Sequence, residues 1–426
     1  MPSIRTQPNA AADDSPAPCQ PVSYYVMSLF SSVELAPRDP ILGLNEAFRA
    51  DPRETKVNLS VGVYFDDQGR LPLLRAVQAA ELARIQAAAP RGYLPIEGIA
   101  DYDTAVQHLL FGAESALVTE DRVITTQAIG GTGALKIGAD FLKRLLPNSA
   151  VAISNPSWEN HRALFTSAGF DVVDYPYYDP STHGADVEAM LACLRSLPEQ
   201  TIVVLHACCH NPTGVDLTED NWHQVVEVLK ARNHVPFLDM AYQGFGDGIA
   251  EDATAVNIMS ASGMNFFVSS SFSKSFSLYG ERVGALSLVT SSKEEKVRVL
   301  SQLKRVIRTN YSNPPTHGAT VVASVLKDAS LRAMWEEELG EMRTRIKAMR
   351  EEMIDRLQAL GVNQDFSFVR EQRGMFSYSG LTLEQVIRLR DEFGIYALDS
   401  GRICVAALNS GNIGYVTESI AKVLAG

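Results

Sequence analysis

A single lysine, Lys274, lies among small hydroxyl residues in the stretch SSSFSKSFSLYGERVG, residues 269–284. The stretch follows an apolar run at 265–268 and leads into another at 283–289. The sequence therefore predicts that the lysine lies in a turn that follows a strand. A lysine in such a place is either an ordinary solvated charge or an amine whose pKa is lowered by its surroundings. Only the second kind readily forms a Schiff base with a carbonyl compound.

Further groups at the ends of apolar runs would complete a site for one cofactor, pyridoxal phosphate. The glycines of IGGTG at 129–133 precede a helical pattern, where backbone N–H groups can bind a phosphate. Asp239 closes the run VPFLD, the segment CHNPTG at 209–214 closes TIVVLHAC, and Arg282 follows the lysine by eight residues. Taken singly, a turn, a helix cap or an ion pair explains each of them. Together they match a cofactor that needs a lysine, a ring acid, phenolic donors and a phosphate cradle.

Six motifs in one order resemble the pyridoxal-phosphate aminotransferases of the aspartate and aromatic class, from about Ser28 to the C-terminus. They are NPSWENH at 155–161, CCHNPTG at 208–214, DMAYQGF at 239–245, SFSKSFSLYGERVG at 271–284, NYSNPP at 310–315 and SGR at 400–402. Segments such as YLPIEG and QRGMFSYSG are most similar to the bacterial aromatic-amino-acid (tyrosine) aminotransferases. The resemblance implies an α/β protein of PLP-dependent transferase fold type I. Its large domain would have a mostly parallel sheet covered by helices, beside a smaller α+β domain.

The resemblance also implies a role for each candidate residue. Lys274, Asp239 and Tyr242 are expected to be catalytic: the lysine holds the cofactor and moves the proton, and Asp239 keeps the ring nitrogen protonated. The cofactor-binding residues implied are Gly131, Thr132, Trp158, His161, Asn211, Asp239, Tyr242, Ser271, Ser273, Lys274, Arg282 and, from a second subunit, Tyr93. The substrate-binding residues implied are Gly62, Tyr93, Trp158, Asn211, Arg308 and Arg402. Because Tyr93 and Arg308 reach across a subunit boundary in this family, the resemblance implies a homodimer with shared sites.

Two substrate ranges stay open. Five apolar residues are either core residues or a wall for a substrate side chain: Ile41, Leu42, Val63, Phe65 and Leu71. Phe65 and Leu71 are apolar where aspartate-restricted enzymes tend to be polar, which favours a transaminase that moves the amino group of tyrosine, phenylalanine and aspartate to 2-oxoglutarate by a ping-pong mechanism. Thr132 and Asn313 instead resemble the aspartate type, so an enzyme restricted to dicarboxylic substrates is the alternative. Decarboxylases and lyases share the fold and stay open too. A regulator of this fold would carry a fused DNA-binding module, for which the first 26 residues are too short.

Composition narrows the class of protein and its compartment. The formal net charge of -12 argues against a nucleic-acid partner, which would need a basic face. No apolar run approaches the roughly 20 residues of a membrane span. Five irregularly spaced cysteines fit a reducing cytoplasm. Since adjacent strand residues point to opposite faces, Cys208 and Cys209 are not expected to bind one metal ion, and no metal is expected.

The patterning predicts the elements that position these residues. Apolar runs at 151–154, 202–207, 235–240, 266–271 and 283–289 alternate with helical patterns such as 219–232, which is typical of a mostly parallel sheet with helices on both faces. Helices are also expected at 72–90, 101–111, 293–308, 330–360, 382–393 and 413–424, and strands near 366–369, 374–379 and 402–407. Residues 56–69 alternate like a strand and break at Gly62. The expected division is a disordered tail at 1–26, with Met27 as an alternative start, an N-terminal segment that is also part of the small domain at 27–72, a large PLP-binding domain at 73–330 and a small C-terminal domain at 331–426.

Overall fold

The computed structural model describes residues 3, 28–36, 39 and 41–425. The chain divides into two units, residues 1–38 and 39–426. In the first unit, residues 29–32 form a turn in which the N–H groups of Ser31 and Val33 donate to the carbonyls of Ser28 and Phe30. The expected tail at 1–26 and the start at Met27 lie outside the described residues, apart from Ser3. Everything that follows concerns the second unit.

A seven-stranded sheet is the centre of the second unit. Its strand order is β2-β10-β9-β8-β7-β3-β4, and only β10 runs against the other six. The strands of the described chain are β1 Val57–Asn58, β2 Val123–Ile129, β3 Val151–Asn155, β4 Val172–Pro176, β5 Tyr178–Asp179, β6 Gly184–Ala185, β7 Ile202–His206, β8 Val235–Met240, β9 Phe267–Ser271, β10 Val283–Val289, β11 Phe376–Tyr378, β12 Ile395–Tyr396 and β13 Arg402–Cys404.

Helices cover both faces of this sheet, as expected for a mostly parallel sheet. Neighbouring strand residues such as Val204 and Leu205 belong to two different hydrophobic clusters, one on each face. The α-helices are α1 Leu42–Ala50, α2 Arg75–Gln86, α3 Ala100–Phe111, α4 Ala116–Thr119, α5 Gly130–Leu145, α6 Glu159–Ser167, α7 Val187–Ser196, α8 Glu219–Ala231, α9 Thr254–Ala261, α10 Lys293–Asn310, α11 His317–Lys327, α12 Ala329–Ala359, α13 Leu383–Phe393 and α14 Ile413–Leu424. The predicted α/β fold is confirmed.

The long helix α12 runs from the large sheet to the C-terminal part of the chain. It begins at Asp328, whose side chain accepts the N–H groups of Ser330 and Leu331. Beyond it, β11 pairs antiparallel with β13, and α13 and α14 follow their predicted bounds within a few residues. β12 pairs with β1, so the chain near residue 57 is joined to the C-terminal part. The expected domain boundaries stay a prediction.

Two expected strands are wrong. Residues 367–371 form a 3₁₀ helix, because the Asp365 side chain accepts the N–H and hydroxyl of Ser367 and turns the backbone. In the segment 56–69, only Val57–Asn58 is a strand, since the Asn58 side chain accepts the N–H of Ser60 and the ladder ends there. The strand expected at 402–407 stops at Cys404 and continues as a 3₁₀ turn. Among the described residues, no helix has the length and apolar character needed to cross a membrane.

Candidate active site

A cavity of about 450 Å³ opens beside the carboxyl ends of β7, β8 and β9. Ligands bind at such strand ends in open α/β sheets, because the loops there diverge. The structure brings most of the sequence-predicted site residues to this cavity. Those lining it are Gly62, Gly131, Thr132, Trp158, Asn211, Asp239, Tyr242, Ser271, Ser273, Lys274, Arg282 and Arg402.

Lys274 lies in the turn after β9 with its amine over the ring of Tyr242, 4.8 Å from the ring centroid. No acceptor within the described ranges takes a hydrogen bond from this amine. Burial, assisted by the charge of Arg282, lowers the pKa of Lys274 to about 8, although Asp239 works in the opposite direction. A useful fraction of the amine is therefore unprotonated near neutral pH, which is the form that attacks a carbonyl carbon.

Asp239, the last residue but one of β8, is an anion in contact with a histidine. Its Oδ2 lies 2.9 Å from His161 Nε2, and His161 Nδ1 lies 3.0 Å from Ser157 Oγ. Burial raises the pKa of Asp239, but the hydrogen bond and charge of His161 outweigh it and hold the pKa below its ordinary value. Because an ionised carboxylate only accepts, Nε2 of His161 is the donor to Asp239. His161 does not line the cavity and instead orients Asp239.

The opposite end of the cavity is built for a polyanion. Helix α5 begins at Gly130, so its first N–H groups face the cavity near Gly131 and Thr132. Gly130 has a φ of 66°, and a Cβ there would lie 2.3 Å from an Arg282 guanidinium nitrogen, so only glycine lets the arginine approach the helix end. Arg282 donates to Ser273 Oγ over 3.2 Å. Helix terminus, guanidinium and hydroxyls together suit a phosphate group.

A third charged group, Arg402 in β13, is 1% exposed. Its Nη1 donates to Asn211 Oδ1 over 3.0 Å and its Nη2 to the carbonyl of Ser60 over 2.6 Å. Its Nε has no partner in the protein, and no carboxylate of the described chain pairs with it. Burial lowers the pKa of Arg402 from its ordinary value, but an arginine remains a cation at neutral pH. A buried cation with an unused donor is suited to a carboxylate ligand.

His206 is a cavity residue that the motif reading missed. It ends β7 directly opposite Asp239, and both of its ring nitrogens are buried without a partner. Its ring lies 5.0 Å from that of His161 and 4.3 Å from that of His210. Burial and the two neighbouring histidines hold the pKa of His206 well below its ordinary value, so it is neutral. The sequence signal that could have identified His206 is its position at the end of the apolar run TIVVLH.

Besides His161, two predicted site residues do not line the cavity of this chain. Tyr93 is 97% exposed. Arg308 is exposed near the end of α10 and donates to the Ser312 hydroxyl. Phe65 and Leu71, expected as a side-chain wall, do not line the cavity either. Ile41, Leu42 and Val63, which belong to the same expected wall, do line it, together with Val61 and Leu135.

The expectation that Cys208 and Cys209 point to opposite faces of a strand is wrong. Strand β7 ends at His206, and Cys209 has a φ of 51°, so the two side chains do not alternate across a strand. Their sulfurs and a carboxylate oxygen of Asp252 all lie within 4.8 Å of one another. Asp252 already accepts the N–H groups of Gly244, Gly246 and Asp247, and burial contributes to pKa values above the ordinary range for both thiols. The cluster is thus a set of neutral thiols beside a satisfied carboxylate.

Comparison with known proteins decides the family. Residues 54–420 match the model of the class I and II aminotransferases. The chain belongs to this family. It is 69% identical over 398 residues to an aspartate aminotransferase of Pseudomonas aeruginosa, and 52% identical over 399 residues to an aromatic-amino-acid aminotransferase of Escherichia coli K12. Each match covers 93% of this chain and 100% of the relative.

A solved structure agrees with this assignment. The aromatic-amino-acid aminotransferase from Burkholderia pseudomallei, covalently bound to pyridoxal phosphate, superposes with a TM-score of 0.92 at 67% identity. The match covers 93% of this aminotransferase and 100% of that chain. A psychrophilic aromatic amino acid aminotransferase from Psychrobacter sp. B6, cocrystallised with aspartic acid, matches at 44% identity with a TM-score of 0.91, over 93% and 100% of the two chains. The family resemblance and the fold expected from the sequence are confirmed.

Proposed function

We propose that this aminotransferase uses pyridoxal phosphate to move the amino group of aromatic amino acids and aspartate to 2-oxoglutarate. The observation that carries the proposal is the Lys274 amine, which lies in the cavity without a hydrogen-bond acceptor and has a pKa of about 8. An amine in this state is a nucleophile for an aldehyde at neutral pH. The relatives named aspartate and aromatic-amino-acid aminotransferase support the reaction class.

The donors present fit the parts of pyridoxal phosphate. Lys274 would hold its aldehyde carbon, Asp239 its ring nitrogen, and the α5 terminus with Arg282 its phosphate. The Tyr242 hydroxyl stays protonated, because burial raises its pKa well above the ordinary value, and it can donate to a phenolic oxygen together with the Asn211 amide. When bound, this cofactor supplies an aromatic system that accepts the electron pair left on the substrate when a proton departs.

The remaining chemistry belongs to residues of the chain. The Lys274 Nζ, with a pKa near working pH, is placed to take the proton from the substrate α-carbon and to return it. Asp239 keeps its negative charge at the buried ring end because His161 donates to it. Arg402 binds the substrate α-carboxylate, with Asn211 holding the guanidinium in place. Ile41, Leu42 and Val63 form an apolar side of this space.

We further propose that two copies of the chain share their sites, with Tyr93 and Arg308 serving the neighbouring cavity. The exposure of both residues on one chain supports this. Arg308 would bind the second carboxylate of aspartate or 2-oxoglutarate, while the apolar wall accepts an aromatic ring. The restriction to dicarboxylic substrates is the second candidate, which Thr132 in the cavity supports.

Single-turnover absorbance tests the function. Cofactor-loaded protein is mixed in turn with tyrosine, phenylalanine, aspartate and ornithine, and the spectral change of the bound cofactor is followed while the oxo acid product is quantified. We expect fast conversion with the first three and little with ornithine. Conversion by aspartate alone would establish the dicarboxylate-restricted alternative. Carbon dioxide release in place of an oxo acid, or full activity of Lys274→Ala, would contradict the proposal.

A further inference from the structure

Arg350, in α12, is a buried cation without an acidic partner. The residue is 2% exposed, and its guanidinium forms no ion pair within the described part of the chain. Burial lowers the pKa of Arg350 to about 10, which leaves it charged at neutral pH. Removing a charge from water without a counter-charge opposes folding. An apolar side chain of similar size would avoid that penalty. The presence of an arginine at this position therefore needs an explanation, and its hydrogen bonds provide one.

The guanidinium of Arg350 binds the start of β11 and the residues before it. Its Nε donates to Ser377 Oγ over 3.1 Å, and its Nη2 donates to the carbonyl of Phe376 over 3.0 Å and to that of Gly374. These acceptors lie within four consecutive residues. One planar group with donors in fixed directions therefore sets the path of the whole segment.

The segment held by Arg350 carries the ring that faces Arg402. The Phe376 ring centroid lies 4.1 Å from Cζ of Arg402, and β11 is the strand paired with β13. On the other side, a Cβ at residue 62 would lie 2.6 Å from Phe376 Cζ, so the ring fills the space beside Gly62. Asn211 and Ser60 hold the edges of the Arg402 guanidinium. Phe376 covers its face, and Nε is the guanidinium nitrogen without a partner among the described residues.

We propose that Arg350 is a positioning residue for the substrate carboxylate, acting through Phe376 on Arg402. The inference deepens the proposed function, because it takes Arg402 as the carboxylate-binding group. Arg350 touches neither the lysine end nor the phosphate end of the cavity. Its loss should therefore weaken binding of carboxylates and leave binding of the phosphorylated cofactor unchanged.

The test uses Arg350→Met, which keeps an unbranched, flexible side chain and removes its donors. Isothermal titration of cofactor-loaded protein measures the Kd of 3-phenylpropionate, a carboxylate that has no amino group and cannot react. We expect the Kd to rise about tenfold, as for the loss of one well-placed charge-assisted contact. The Kd of pyridoxal phosphate for cofactor-free protein should stay at the wild-type value. Arg356→Met, on the exposed face of the same helix and bonded to Glu352, is the matched control and should leave both constants unchanged.

A second variant covers the case in which Arg350→Met does not fold. Phe376→Leu keeps an apolar side chain and removes the ring face, so it should raise the Kd of 3-phenylpropionate by a larger factor than that of pyridoxal phosphate, since the ring also packs against Tyr242. An unchanged carboxylate affinity in either folded variant would overturn the proposal. Equal losses of carboxylate and cofactor affinity would overturn it as well, because they indicate general loosening. These equilibria do not depend on turnover, so absence of amino transfer by the wild type would contradict the proposed function alone.

Discussion

At the residue scale, the pKa of Lys274 determines how the site loads its cofactor. The pKa of its amine is lowered to about 8, so the reactive unprotonated fraction should rise through pH 8. Competitive labelling of cofactor-free protein with acetic anhydride, read by peptide mass spectrometry from pH 6 to pH 10, should give a midpoint near 8 for this residue. The exposed Lys293 in the same samples reports the reactivity of the reagent itself.

The same experiment can test the direction in which Asp239 shifts the pKa of Lys274. The Asp239 charge raises the pKa of Lys274 against the effect of burial. Asp239→Asn should therefore move the labelling midpoint of Lys274 to lower pH, with Lys293 unaffected. A midpoint that stays in place, or one that moves to higher pH, would show that burial and Arg282 alone control the amine.

Residues in turns directly after apolar runs were predictable from the sequence. Lys274 and the glycines that begin α5 follow a strand, Asp239 lies at the end of β8, and parallel strands bring such ends together. His206 has the same position, but no motif reading assigned it a role because its importance arises from two rings that pack against it. The role of Phe376 could not be predicted from the sequence for a similar reason, because its contact with Arg402 depends on the pairing of β11 with β13.

At the element scale, α12 forms hydrogen bonds to the loops that carry the site residues. Its existence was predictable from apolar residues at three- and four-residue spacings, but that pattern identifies only the buried face. The polar contacts come from other positions: Trp335 Nε1 donates to the carbonyl of Ser275, and Arg343 donates to that of Gly244. Each acceptor follows a proposed catalytic residue within a few positions. Sequence spacing cannot identify such partners, because they are 60 or more residues away.

The Trp335 contact gives a prediction for this helix. Trp335 is 1% exposed, its ring stacks on Phe276 at 4.6 Å, and its N–H donates over 2.6 Å to the residue after Lys274. Trp335→Phe keeps a ring but leaves the Ser275 carbonyl without this donor, so we expect a loss of about 1–3 kcal/mol in the free energy of unfolding. Because the loop that holds Lys274 is loosened, cofactor dissociation should also accelerate. Urea unfolding and the rate of cofactor loss measure the two effects.

Trp222→Phe is the matched control for this change. Trp222 is also buried, at 3% exposure, but it lies in α8 and forms no hydrogen bond to the lysine loop. It should cost stability through packing and leave the rate of cofactor loss unchanged. If both variants accelerated cofactor loss equally, α12 would have no special part in holding Lys274.

At the scale of the whole molecule, one chain does not bring its own Tyr93 and Arg308 to its cavity. The cavity has groups for a phosphate, a ring nitrogen and one carboxylate, but within the described chain no arginine besides Arg282 and Arg402 lines it, so none is placed for another carboxylate. The family resemblance assigned both residues to a neighbouring subunit, and their exposure here is compatible with that assignment. If the sites are shared, each complete site combines Lys274 of one copy with Arg308 of the other.

Subunit complementation tests this arrangement. Lys274→Ala removes the amine, and Arg308→Leu removes the cross-boundary cation, so neither variant alone should convert aspartate at more than a small fraction of the wild-type rate. In a mixed dimer, the cavity of the Arg308→Leu chain contains an intact Lys274 and receives the intact Arg308 of the Lys274→Ala chain. Unfolding and refolding an equimolar mixture should therefore restore aspartate conversion, because about half of randomly assembled dimers contain one complete site.

Comparing aspartate with phenylalanine distinguishes shared sites from simple recovery of damaged protein during refolding. Phenylalanine has no second carboxylate, so Arg308→Leu alone should keep much of its phenylalanine conversion while losing aspartate conversion, and mixing should add little to it. Refolding each variant separately controls for the procedure. Aspartate activity that stays at the sum of the two parents after mixing would mean that Arg308 serves its own chain or none. Restoration that is equal for both amino acids would assign Arg308 to assembly, because a carboxylate-binding arginine must act on the substrate that carries the extra charge.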